Sequence, residues 1–434
     1  MAKRGNKKVK KKSKSQVDSV KKTQKPIESS APEPSKLEVP TPAPTPVTPK
    51  SEAPAPEPKP EAEATEVPTL ESSKPEPLKP TFPKPAVICI GEYPIKIVLK
   101  GSLVQKKNEQ LPIFIDKSSE DIAGWSSSTL SADSILGLDI NIDTHFWFQV
   151  SPYITSDSEF IDSLKDKPID DTRGAVITAS LWDGVGSGLL PTVISQFKEW
   201  NKNTVAFGLL PSNKQVSDVH FNAFSSVGMC VSEGFASLCL LDRDQLENYV
   251  GVDRKGAVLK GNGFFNYLLE MVAAKETFVQ ELSELSRVFD VRMYTVLSAT
   301  GASLSMYGSI KNMLDSALSR PLLKFDLATA SVVYVLLRLP LQLKETLTRE
   351  KIELEIADWF KEKATLQTGF ISEPVYVEDA NDRVDVVMLV GGFDTTEMFR
   401  AMEKKVKAIK SFLIKKGSIK EDDWRAIAKS LGTV

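Results

Sequence analysis

From residue 86 onward, short apolar runs alternate with longer stretches in which apolar positions recur every three or four residues. The short runs are Ala86 to Ile90, Ile113 to Ile115, Ala175 to Ala179, Thr204 to Leu209 and Ala236 to Leu241. Each reads as a buried strand, while Phe221 to Glu233 between the last two reads as a helix. This alternation predicts a mainly parallel sheet covered by helices on both faces. In the stretch Asn262 to Leu285, Phe265, Leu268, Leu269, Val272 and Ala273 keep the i, i+3, i+4 spacing, with Phe278 and Leu282 beyond them, which predicts one long core helix. A second block follows. Met293 to Leu297 reads as a strand or a helix start, and Ser331 to Leu339, Pro374 to Val377 and Val384 to Val390 read as strands. Arg349 to Lys363 reads as a helix, and two amphipathic helices, about Glu397 to Lys415 and Glu421 to Leu431, close the chain. The fold class expected is α/β, with a smaller α+β part after the long helix.

Composition changes the picture at the N-terminus. Of the 27 prolines, 18 fall before Ala86, where no apolar run occurs. Such a segment buries too little surface to offset its ordering entropy, so residues 1–85 are expected to form a disordered arm. Its first part, Met1 to Lys25, carries eleven lysine and arginine residues against the single acid Asp18; the second, Pro26 to Pro85, is a Pro/Glu/Ala/Thr linker. A basic arm of this kind suits DNA, an anionic membrane or an acidic protein as partner, or it serves only as a solubilising tail. The net charge of the whole chain is −2, so the remainder is acidic enough to balance the arm. The division expected is an arm at 1–85, a nucleotide-binding domain at 86–260, a central helix and loop at 261–290, an α+β domain at 291–395 and closing helices at 396–434.

Other chemistry is thin. Cys89, Cys230 and Cys239 lie in apolar contexts without metal-ligand spacing and read as core thiols of a reducing, cytoplasmic compartment. With only two histidines, His145 and His220, zinc or histidine-based catalysis is not expected and no metal ligands are assigned. His145 in THFWFQV reads as a buried or edge-strand residue. No apolar stretch follows the N-terminal charges and no run of about 18 apolar residues occurs, so neither a signal peptide nor a membrane span is expected.

The stretch with most content is AVITASLWDGVGSGLLPTVISQFKEW, Ala175 to Trp200: a strand, a turn carrying Gly184, Gly186 and Gly188 with Ser187 between the last two, then a helix with Pro191 in its first turn. Strand, glycine loop and helix together aim backbone N–H groups and a positive helix end at a phosphate. The bland alternative is a tight strand–helix turn that needs glycine for packing.

In length and setting, Ile177 to Pro191 resembles the phosphate loop of the tubulin/FtsZ superfamily, G-G-G-T-G-[ST]-G, with Gly184, Gly186, Ser187 and Gly188 on its last positions. KNTVAFGLLPS resembles the next strand and its loop, and Phe221 to Leu246 resembles the helix and strand leading to the tubulin D-N-E-A-L motif. GFFNYLLE resembles the family's central helix, with Asn266 at the position that meets guanine, and VDVVMLVGGFD resembles the last strand of the second domain. The resemblance spans residues 86 to 395. It implies a divergent FtsZ-like or tubulin-like cytoskeletal protein that binds GTP, with Mg as an associated ion, and self-associates into filaments, with hydrolysis completed at the subunit contact. Gly91, Gly184, Gly186, Ser187, Gly188 and Asn266 would then hold the nucleotide, and Asp290 would be the carboxylate that orients water for a neighbouring subunit.

Departures from the family pattern point to a second reading. Only Gly91 remains of the first glycine loop, with Glu92 and Pro94 in place of glycines. In the main loop Trp182 and Asp183 stand at glycine positions and Val185 at the threonine. Trp182 reads as a lid on the pocket or as a core or interface aromatic. A charge such as Asp183 about 4 Å from a phosphate is repelled by roughly 4 kcal/mol at an effective dielectric near 20. Arg243 occupies the position of the guanine-reading asparagine and has no acceptor to offer the base. The rival to a weak GTPase is therefore a non-hydrolysing pseudo-GTPase scaffold tethered by its arm to DNA or membrane. A Rossmann-type enzyme with another cofactor lacks a fitting acid about 20 residues after the glycines.

Overall fold

The computed structural model describes residues 84–104, 111–126, 130–154, 158–169, 172–234, 236–363, 368–378 and 381–433. The expectations for residues 1–83, the basic block and the Pro/Glu linker among them, lie outside the described residues.

The expected α/β architecture is present. Six parallel strands, β1 (Ala86–Ile90), β2 (Ile113–Asp116), β3 (Ile135–Gly137), β4 (Ala175–Ser180), β5 (Thr204–Leu210) and β6 (Ser237–Asp242), lie in the order 3-2-1-4-5-6. A short antiparallel hairpin, β7 (Val250–Val252) and β8 (Val258–Lys260), follows. β9 (Met293–Ser303) then joins the sheet beside β6, parallel to it. Beyond β9 come β13 (Arg383–Gly391) and β10 (Val332–Pro340), both antiparallel to their predecessor in the sheet, with β11 (Thr368–Ile371) and β12 (Val375–Val377) on the edge of β10. The result is one 11-stranded sheet.

The central strands are apolar end to end because both faces are covered. Every residue of β1, β4 and β5 is buried. Alternation sorts them into two layers. Ile88, Ile90, Ile177 and Ala179 face the helix Gly184–Glu199, the helix Ser217–Glu233 and the two closing helices, through Leu189, Phe197, Phe224 and Trp424. Val87, Cys89, Val176, Val205 and Phe207 face the opposite layer, built on Phe264, Phe265, Leu268 and Leu282. All three cysteines are buried and none is in a disulfide. Among the described residues, no helix is long and apolar enough to cross a membrane.

Three local expectations are corrected. The glycines do not form a turn before the helix; the helix begins at Gly184 and contains them. Pro191 therefore sits inside the helix rather than in its first turn, and the carbonyl of Ser187 loses its usual i+4 donor. The single long helix is two, Gly261–Ala274 and Phe278–Phe289. The apolar period continues across the break because both pieces pack on the same layer. The chain turns at Lys275, whose backbone is extended (φ −90, ψ 104) and whose ammonium reaches the carbonyl of Glu373 at 3.1 Å. His145 is neither buried nor in a strand; it lies in a loop, half exposed, with Nε2 3.1 Å from Asp218.

Candidate functional site

The strand order reverses between β1 and β4, and in open α/β sheets ligands bind outside the carboxyl ends of the strands at such a point. A cavity of about 680 Å³ lies there. Its walls come from the turn after β1 (Glu92, Tyr93, Lys96), the end of β2 (Asp116, Lys117), the turn after β4 (Trp182, Asp183), the residue after β6 (Arg243) and the start of the central helix (Asn262, Asn266).

Asp183 sets the chemistry of this cavity. It caps the helix Gly184–Glu199, accepting the N–H of Gly186 at 2.6 Å. Ser180 donates its hydroxyl to the same carboxylate, and the Ser187 hydroxyl donates to the Asp183 carbonyl. The Ser187 N–H is also bonded to that carbonyl, at 3.1 Å. The positive end of the helix is thus satisfied by the chain's own carboxylate, as an N-cap requires.

The glycines of the predicted phosphate site are not among the residues lining the cavity, and each is closely packed. Gly91 has φ +90, and a Cβ on it would lie 2.7 Å from Ser180 Oγ and 3.3 Å from Asp183 Oδ2. Its N–H is bonded to the carbonyl of Ile115 at 2.9 Å. A Cβ at Gly184 would meet the Thr144 carbonyl oxygen at 1.9 Å, one at Gly186 the Ser180 oxygen at 2.0 Å, and one at Gly188 the Trp147 oxygen at 2.9 Å. The glycines let the helix press against the end of β4 and the segment 144–147. That segment is held by Asn222, fully buried, which accepts the Trp147 N–H at 3.1 Å and donates to the carbonyls of His145 (2.8 Å) and Trp182 (3.2 Å). Sequence reasoning passed over Asn222; a lone amide in the apolar run FNAF was its only signal.

Negative charge collects beside the cap. Asp116 is 7% exposed, with Oδ1 on the Lys117 N–H and Oδ2 without a hydrogen-bond partner. Burial pushes its carboxyl up to about 7, and the nearby Asp183, Glu92 and Asp121 add to the rise. Burial likewise pushes Asp183 up to about 6, with Glu92 adding to the rise, against the Ser180 hydroxyl and Gly186 N–H that favour the anion. Four cations also stand in the wall, Lys96, Lys100, Lys117 and Arg243, and two of them are engaged with other groups. Lys96 pairs with Glu92 and sits 4.7 Å from the centre of the Trp125 ring. Arg243 lies 5.3 Å from the ring centre of Tyr93 and 5.1 Å from that of Trp182, and bonds Glu247 at 2.7 Å. Tyr93 and Trp182 meet edge to face at 4.9 Å, and Tyr93 donates its hydroxyl to Asn262 at 2.7 Å.

Asn266 lies in the wall as the resemblance implies. Its Nδ2 donates to Glu270 at 3.1 Å, its Oδ1 is buried without a partner, and Gly101 is pressed against its amide. Asp290 is not at the cavity. It caps the C-terminus of Phe278–Phe289 with φ 49, its side chain 86% exposed and 3.5 Å from Arg292. It stands just before the start of β9, which runs parallel to β6, so it lies at the amino ends of the parallel strands, opposite the carboxyl ends that border the cavity. Among the described residues, no group of three or more His, Cys, Asp or Glu side chains is placed to hold a metal ion.

Neither a protein-family model nor a curated protein matches the sequence. Solved structures do match the fold. CetZ1 from Haloferax volcanii, a GDP-bound monomer, superposes with a TM-score of 0.60 at 17% identity, over 75% of this chain and 99% of that one. CetZ2 from the same organism, a GTPγS-bound protofilament, gives 0.55 at 16% identity, over 76% and 99%. An empty FtsZ dimer from M. jannaschii gives 0.53 at 17% identity, over 72% and 89%. The chain has the tubulin/FtsZ superfamily fold.

Proposed function

We propose that this chain is a self-assembling scaffold of the tubulin/FtsZ fold in which assembly is uncoupled from nucleotide hydrolysis. The observation that carries this reading is the Asp183 carboxylate on the Gly186 N–H, at the helix end where a phosphate would be received. What speaks against a bound triphosphate is that the Gly186 and Ser187 N–H groups are bonded to Asp183, that Glu92, Asp116 and Asp183 lie together, and that Arg243 is engaged with two rings and Glu247; Lys96, Lys100 and Lys117 in the same wall speak for one. Self-assembly is supported by the similarity to a CetZ2 protofilament. The basic block Met1 to Lys25 would hold such a scaffold to an anionic polymer or bilayer.

The second reading, guanine-nucleotide binding with weak turnover at the subunit contact, is favoured by the 680 Å³ cavity and by the unpartnered Asn266 Oδ1 in its wall. One experiment separates the two. The full chain is purified, denatured and assayed for released nucleotide, and its sedimentation is followed with and without GTP. Assembly of the same extent in both, with no stoichiometric nucleotide, is expected. Stoichiometric GDP or GTP, or GTP turnover that disappears in Asp290→Ala, overturns the scaffold reading.

A further inference from the structure

The helix Thr396–Lys416 is covered on one side only. Phe399, Met402, Val406 and Leu413 are buried against the rest of the fold. The opposite side carries Lys404, Lys407, Ala408, Ser411, Phe412 and Lys415, all exposed, with exposed Lys416 at its end. At 100° per residue the first six lie within roughly 140° of one another around the helix axis.

Charge on this side is uncompensated. Among the described residues, Lys404, Lys407, Lys415 and Lys416 have no carboxylate partner. The neighbouring acids are largely spoken for: Glu397 pairs with Arg400 at 3.0 Å, and Glu421 and Asp422 pair with Arg425 at 2.9 and 3.9 Å. The other two lysines of the helix are engaged, Lys405 with Asn213 at 2.9 Å and Lys410 over the Trp424 ring at 5.3 Å. In the middle of the free lysines stands Phe412, 58% exposed.

We propose that this face docks on an anionic phospholipid bilayer, with Phe412 entering the acyl boundary and the four lysines at the headgroups. Two physical facts favour a bilayer over a nucleic acid. An exposed phenyl ring between lysines gains from an apolar layer directly beneath a charged one, the arrangement that only a bilayer surface offers along the whole helix side. Lysine stems also lie along apolar surface while their ammonium groups stay in water. The surface shares no residue with the cavity, and it does not depend on whether nucleotide is bound.

The test uses the full chain carrying Phe412→Trp, with wild type as control for the native tryptophans. Each is mixed with phosphatidylcholine vesicles, with and without phosphatidylglycerol, in which the acyl chains are brominated. Quenching beyond that of wild type is expected only with phosphatidylglycerol present. Affinity should fall roughly 25-fold for each of Lys404, Lys407 and Lys415 changed to glutamate, about fivefold per unit of charge. These positions are exposed, so the fold persists and an unchanged melting curve confirms it. No quenching beyond wild type overturns the proposal, even where the arm brings the chain to the vesicle, because bromine in the acyl layer reports position 412 itself. Quenching that persists after all three charge reversals also overturns it, as does protection of the introduced indole by duplex DNA in place of vesicles.

Discussion

Buried aspartates in this chain are withdrawn from solvent in two opposite ways. Asp385, in β13, is fully buried and fully answered. It accepts from Tyr267 at 2.9 Å, from Arg338 Nε at 2.9 Å and from the Gly301 N–H at 2.8 Å, with Arg254 at 3.6 Å. The Arg338 guanidinium also lies over the Tyr267 ring at 4.4 Å. Strands β9, β10 and β13, the hairpin turn and the central helix all meet on this one carboxylate. At the cavity, Asp183 and Asp116 have hydroxyl and N–H donors but no cation, and other carboxyls stand nearby. Where the fold uses a buried charge for architecture, it surrounds that charge with counter-charge. At the cavity, with Lys96, Lys100, Lys117 and Arg243 in its walls, neither Asp116 nor Asp183 makes an ion pair among the described residues, so its carboxyls remain sensitive to protons and to ligands.

The largest expected effect breaks the first member of the pair. Asp385→Ala leaves the buried Arg338 guanidinium without its carboxylate, and losing one partner of a buried pair costs about 3–5 kcal/mol. Urea denaturation should show that loss; a change below about 1 kcal/mol would mean the cluster is not a structural centre. Next comes pH. Both cavity carboxyls titrate higher in the folded chain than their ordinary 3.8, Asp183 at about 6 and Asp116 at about 7. The folded state therefore holds more protons between about pH 4 and pH 7, and their contribution to stability falls as pH rises through that window. His220, which burial lowers to about 4, acts in the opposite sense, so the informative quantity is wild type minus Asp116→Asn. Wild type should lose on the order of 3 kcal/mol more than this variant over the window. Equal slopes would show that Asp116 has a compensating cation and would erase the contrast with Asp385. Smaller again is Asp183→Ala, which removes an N-cap and should cost about 0.5–2 kcal/mol by thermal melting. A stabilised variant would mean that repulsion from Glu92 and Asp116 exceeds the value of the cap.

What was legible in the sequence follows from these environments. β1, β4 and β5 could be read because strands covered on both faces are apolar throughout. Arg349–Lys363 was read to the residue. The break at 275–277 could not be read, since period reports which side is buried and both helices bury the same side. The hairpin β7–β8 has only three residues per strand and is partly exposed, too short for a pattern. The site was legible in position but not in state. The stretch Gly184 to Gly188 stands at the helix start beside the cavity and Asn266 in its wall, yet the capping by Asp183 depends on where its carboxylate turns, and Asn222 acts on a residue 77 positions away. Arg338 and Asp385 did leave a signal. A charge deep inside VVYVLLRLP or RVDVVMLVG demands an opposite charge nearby.

The smallest expected effect is the sharpest for the comparison, because it concerns a cation in the wall of the same cavity. Arg243 borders the same cavity as Asp183, yet its guanidinium is directed to Tyr93, Trp182 and Glu247. If it serves the rings and not the carboxylates, Arg243→Ala should cost no more than about 1 kcal/mol, the worth of a partly exposed cation–π contact. The pH dependence of stability should stay as in wild type. A double-mutant cycle with Trp182→Leu isolates the ring contact, with a coupling of about 0.5–1 kcal/mol expected. A coupling near zero would place the value of Arg243 in Glu247 alone. A pH profile that shifts on losing Arg243 would show that it does offset Asp183 through the cavity, and the cavity would then be compensated as Asp385 is, only at longer range.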